Sequence, residues 1–123
     1  MNFRQLDVMT DSAKVCLPIA LWSARAEAVA ERFGVSFVAL DQHDGLGPFR
    51  GAIVEGAKKR KFGLIDHTHA QMTGTEICVH ESSTDLVSAL QEFLLTFEIG
   101  EAELKWVRAD AQKRPNQPPE PTR

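Results

Sequence analysis

At 123 residues the chain is long enough to bury one real core without covalent staples. Its 43% hydrophobic and 25% charged residues are those of an ordinary globular domain. A net charge of −3 argues against a nucleic-acid or anionic-membrane surface, which needs a basic footprint, and is too small for a charge mimic of nucleic acid. Cys16 and Cys78 form no Cys-x-x-Cys pair and no disulfide framework, which points to a reducing cytoplasm. The first residues carry no basic region followed by an apolar run of signal length, and the longest apolar run, residues 15–22, contains Pro18 and is too short to span a bilayer. The expectation is a soluble cytoplasmic protein.

Residues 15–33 carry the clearest periodicity. Val15, Ile19, Trp22, Ala26, Val29 and Phe33 fall on one helical face, with Arg25, Glu27, Glu31 and Arg32 opposite. Gly34 offers a left-handed stop. Thr10, Asp11 and Ser12 are competent N-caps, but a helix starting there would carry Pro18 in its interior and lose a ladder bond. The spacing therefore predicts a helix over residues 18–33, preceded by a looser segment.

From residue 35 the pattern changes to short β-rich runs at 35–41, 49–55, 61–69 and 75–81. The connectors at 44–48, 56–60 and 71–74 are short and contain glycine, which suits hairpins rather than helical crossovers. A four-stranded antiparallel meander follows. Ser82, Ser83 and Thr84 then supply hydroxyl caps, and Asp85 a first-turn carboxylate, for a second helix over 83–98. Its apolar face is Leu86, Leu90, Phe93 and Phe97, widened by Val87 and Leu94, with Gly100 to close it. Ala102, Leu104 and Trp106 alternate with Glu101, Glu103 and Lys105, which reads as a short half-buried strand; a short helix competes, because these residue types favour helix.

Four of the six prolines fall between Pro115 and Pro121, with no aliphatic or aromatic residue among residues 115–123. Such a segment buries too little to offset its ordering entropy, so the expected organisation is one domain over 1–111 and a disordered tail over 112–123. The ending Pro-Asn-Gln-Pro-Pro-Glu-Pro-Thr-Arg resembles the ends of hypothetical proteins encoded by bacterial integron gene cassettes, in which the reading frame runs into the recombination site. The resemblance covers nine residues, implies a mobile-element origin for a tail without structural purpose, and carries no activity or functional residue with it.

The chemistry-bearing stretch is residues 63–80, which hold His67, His69, His80, Cys78, Asp66 and Glu76. On a strand, His67 and His69 share a face, a familiar metal-ligand spacing. One hairpin register sets Glu76, Cys78 and His80 on that face; a one-residue slip sets Thr75, Ile77 and Val79 there. Ile77 and Val79 need a buried face and Ile65 lies on the histidine face, so the second register is favoured, with Glu76, Cys78 and His80 opposite, beside Asp66. That leaves only two clear imidazole ligands, and no metal site is expected. The two histidines are then candidates for tuning the binding of an anionic ligand or partner.

His43, flanked by Asp41 and Asp44, lies where a strand enters a turn and is a second candidate, although Asp before Gly is ordinary turn chemistry. The run of residues 58–61 is a basic hairpin tip, read as solvated, and the two cysteines read as inert small hydrophobes. No Gly-x-Ser-x-Gly, Walker or Gly-x-Gly-x-x-Gly pattern is present.

The expected architecture is α+β: a four- to five-stranded, mainly antiparallel sheet with two amphipathic helices packed on one face. The uncovered face then needs a partner subunit or forms a pocket, with Trp22 and Trp106 as candidates to line it. The leading function is a cofactor-free binding module, homodimeric, taking a small molecule or protein partner through His67, His69, Asp66, His43 and Trp106. Its rivals are a metal-dependent enzyme built on the His67/His69 hairpin and an immunity-type neutralising protein, against which the scattered acids count.

Overall fold

The glycine-containing connectors do join hairpins. In the computed structural model, which describes residues 3–6, 15–40, 49–67 and 72–112, strands β3 (Val38–Leu40), β4 (Phe49–Glu55), β5 (Lys61–His67) and β6 (Thr75–Val79) pair successively and antiparallel. The sheet is larger than four or five strands. Among the described residues it has seven, all paired antiparallel, adding β1 (Arg4–Leu6), β2 (Leu17–Trp22) and β7 (Leu104–Val107) in the order β1-β4-β5-β6-β2-β7, with β3 also on β4. β1 and β3 share one edge of β4 end to end, and the Gln5 side-chain amide exchanges two bonds of 2.6 and 2.9 Å with the Ser36 backbone to bridge them.

The first half of the expected helix over 18–33 is strand β2. An apolar run this short satisfies helical and extended periods alike, and here tertiary pairing selects the extended one. β2 lies between β6 and β7, and Ile19, Ala20, Leu21 and Trp22 are all buried. Pro18 stands beyond the pairing with β7, which begins at Ala20, so its missing N–H costs no bond on that side. Helix α1 is only Ala26–Phe33, ending at Gly34 with φ 77°.

Helix α2 (Leu86–Phe97) starts three residues later than the hydroxyl run suggests. Asp85 is itself the cap, accepting from Ser88 N at 3.1 Å and Ser88 Oγ at 2.8 Å, and Glu98, at φ 56°, ends the helix in place of Gly100. The expected face is the buried one: Leu86, Leu90, Phe93, Leu94 and Phe97. Phe93 meets Trp22 at 5.6 Å, Phe62 at 5.2 Å and Phe97 at 4.7 Å between ring centroids. Burying each phenylalanine contributes roughly 1.5–3 kcal/mol before packing is counted.

Both helices and this aromatic cluster lie on one side of the sheet, against Ala52, Val54, Phe62, Leu64, Ile77 and Val79. That pattern decides the hairpin register against the favoured one. Gly63 pairs with Cys78, Leu64 with Ile77, and Ile65 with Glu76. Phe62 and Leu64, rather than Ile65, form the core side of β5, so Ile65 and His67 share the opposite face with Glu76 and Cys78. The 56–60 turn is held down by the one carboxylate α2 buries. Glu92 accepts from Lys58 N, Arg60 N and Arg60 Nε, and Thr96 Oγ1 takes the N–H of Ala57. At the far end Ala111 is fully buried, and the tail from residue 113 lies outside the described residues.

Candidate functional site

The sheet face away from the helices has two halves. One is covered, because Val15 packs on Ile53 and Leu6, and its carbonyl oxygen passes 2.9 Å from where a side chain on Gly63 would begin. The other half is a groove of about 210 Å³. Its apolar walls are Leu21, Ile65, Met72 and Trp106, and its polar groups are His67 and Glu76. Four of these form one row across the sheet: Trp106 on β7 pairs with Leu21 on β2, Leu21 with Glu76 on β6, and Glu76 with Ile65 on β5. Gly74 closes one end at φ 144°, where a Cβ would lie 2.3 Å from the Trp22 carbonyl oxygen, so only glycine allows the chain to turn this close under the groove.

His67 Nε2 stands 3.6 Å from Glu76 Oε1, within ion-pair reach but beyond a hydrogen bond. The imidazole is 12% exposed and the carboxylate 33% exposed. The ring leans on Phe49, its cross-strand neighbour, at 5.8 Å, and its buried Nδ1 has no hydrogen-bond partner among the described residues. Trp106 and Met72 are among the few large apolar side chains left exposed. Among the described residues, those that line the groove include no serine, threonine or cysteine. Cys78, on the same face, is 1% exposed, and burial pushes its thiol well above the usual range.

Asp66, expected beside Glu76, belongs to the other side of the sheet. Fully buried, it accepts from Arg25 Nε at 3.1 Å and Nη2 at 3.0 Å, from Arg50 Nη2 at 3.2 Å and from the Ala26 amide at 2.8 Å. It is the N-terminal cap that α1 lacks locally, supplied by a strand 40 residues away. Hydrogen bonds from Arg25 to this carboxylate hold the guanidinium above its ordinary range, and Arg50, bonded first to Glu27 at 2.8 Å, is raised likewise. Asp66 is therefore structural.

Of the other residues named from the sequence, His67 and Trp106 line the groove, while His43 and His69 lie outside the described residues. His80 is exposed, its Nδ1 turned to Ser82 N at 3.1 Å and Oγ at 2.8 Å, a local turn contact. Cys16 is exposed rather than sunk in an apolar run. Lys58 and Lys59 are exposed at the hairpin tip, while Arg60 is committed to Glu92. Among the described residues no three His, Cys, Asp or Glu side chains converge as a metal-ligand set. Leu21, Ile65, Met72, Gly74 and Glu76 are the groove residues outside the expected site; of these, Leu21 is expected in a helix and Glu76 on the opposite face. The alternation of Phe62 and Leu64 with Gly63 was the signal for the second.

No protein-family model matches the chain, and no curated protein or solved structure is significantly similar to it.

Proposed function

We propose that the protein is a cytoplasmic binding module that takes a small molecule in the open-face groove and does no chemistry on it. The observation that carries this reading is the row Trp106–Leu21–Glu76–Ile65, an apolar strip interrupted by one carboxylate with an imidazole beside it. Proteins leave such a surface uncovered where something binds. The free thiols suit a reducing compartment, and among the described residues no helix is long and apolar enough to cross a membrane. A mobile-cassette origin is carried only by the resemblance of the tail. The test is a thermal-shift screen of small amphipathic compounds against wild type and a Leu21→Ala, Trp106→Ala double variant. Compounds that stabilise wild type and lose their effect in the variant support the reading; an effect indifferent to the variant, or no stabilising compound, removes it.

A second reading rests on β7. Among the described residues it has a strand neighbour on one side only, and a groove of about 310 Å³ lined in part by Leu90, Leu104, Val107 and Ala111 runs beside it. Pairing of β7 with its copy about a two-fold axis would give a dimer. Sedimentation velocity should then show a dimer that Lys105→Pro, which removes an edge N–H, converts to monomer. A concentration-independent wild-type monomer removes this reading.

A further inference from the structure

We infer that the groove selects small organic cations: a primary ammonium seated at Glu76, carried on a short apolar body that lies over Leu21 and ends against Trp106. The inference rests on the groove being a ligand site and names the class of ligand. Its first ground is the pairing of carboxylates. Among the described residues each of the other shielded ones faces an arginine: Asp66 has Arg25 and Arg50, Glu92 has Arg60, Glu103 has Arg32, and Glu55 has Arg4. Glu76 is shielded about as much as Glu103, yet its ion-pair partner among the described residues is an imidazole at 3.6 Å.

Lys105, on the same strand as Trp106, is engaged elsewhere. Lys105 Nζ is bonded to Thr73 O at 2.8 Å and Thr73 Oγ1 at 3.2 Å, and no lysine or arginine lines the groove among the described residues. A half-shielded carboxylate beside an apolar strip, with no guanidinium or ammonium partner among the described residues, is electrostatically complementary to a ligand that brings one.

The second ground is spacing. Glu76 and Trp106 are two strands apart in one cross-strand row, roughly 9–10 Å at ordinary strand separation. Leu21 lies between them as an apolar floor. The volume of about 210 Å³ is below that of sites for drug-sized ligands, which run about 300–1,000 Å³, so the ligand is a short alkyl- or arylalkyl-amine.

The test is a two-dimensional amide and indole NMR titration of the full chain with n-hexylammonium, hexanoate and hexanol. Binding is expected in the millimolar range, as befits so few atoms. Hexylammonium should bind at least about tenfold more tightly than the other two, shifting the Glu76 amide and Trp106 indole signals, and Glu76→Gln should abolish that preference while leaving hexanol unaffected. Hexanol or hexanoate binding as well as the amine, or an amine preference that survives Glu76→Gln, overturns the cation assignment and leaves the groove a binding site. Failure of all three to bind wild type overturns the assignment and the proposed function together. Chemical-shift dispersion of the variant, matched to wild type, shows that it is folded.

Discussion

Asp66 and Glu76 stand on adjacent strands and face opposite sides of one sheet. Asp66 is sealed among two guanidiniums and a helix amide, so its charge is committed to architecture. Glu76 borders an open groove with a single imidazole 3.6 Å away. The difference teaches how to tell a structural carboxylate from an available one. Burial alone does not separate the two kinds, since the paired Glu103 is 31% exposed and Glu76 33%; the question is whether each oxygen already has a permanent donor. A buried charge stripped of its partners costs several kcal/mol, so evolution pairs it, whereas a charge at a groove can wait for its partner.

The comparison can be broken at several points. The largest effect should come from the helix-covered side, where Phe93→Ala leaves a cavity in the aromatic cluster and should cost about 3–5 kcal/mol in denaturant melts. Next, Asp66→Ala leaves two arginines unpaired and α1 uncapped, and should cost about 3 kcal/mol, less than a fully buried pair because both guanidiniums keep some solvent. An Asp66→Ala loss below about 1 kcal/mol, in the range of ordinary surface changes, would show that this network is not structural.

Glu103 gives a smaller, pH-dependent effect. Hydrogen bonds from Arg32 and then from the buried Trp22 indole hold its carboxyl below the ordinary value of 4.5. A depressed folded-state pKa contributes stability that is complete above the unfolded value and fades as pH falls through the folded one. The gap between wild type and Glu103→Gln, about 1 kcal/mol at neutral pH, should therefore close in acid. A gap that stays constant or widens on acidification would contradict the assigned pairing. Smallest of all, Glu76→Gln and Trp106→Ala should each change stability by no more than about 0.5 kcal/mol while altering ligand binding. A loss from Glu76→Gln as large as that from Asp66→Ala would erase the distinction between the two carboxylates.

The readable parts of the molecule are those whose physics is local. The buried face of α2 and the hairpins of the meander follow from periods and turns contained within a dozen residues. Residues 17–22 are the counter-example, since a short apolar run is compatible with helix or strand until its neighbours are known. In the candidate site the same boundary applies. His67 and Trp106 were visible as polar and aromatic residues with no evident core role, but Leu21 was hidden by the helix reading and Glu76 by the register.

What the sequence by itself determined is the set of local preferences: an α+β chain, the positions of the turns, the apolar stripe of α2, and an alternation in 61–67 that admits only two registers. Tertiary structure alone decided which register holds, because Phe62 and Leu64 must both reach the helices and a strand cannot bury them without turning Ile65 and His67 outward. It also decided that β2 enters the sheet between β6 and β7, which brings Leu21 between Glu76 and Trp106. Side chains 30 to 85 residues apart become neighbours only through strand pairing, and strand pairing is a property of the whole sheet rather than of any segment in it.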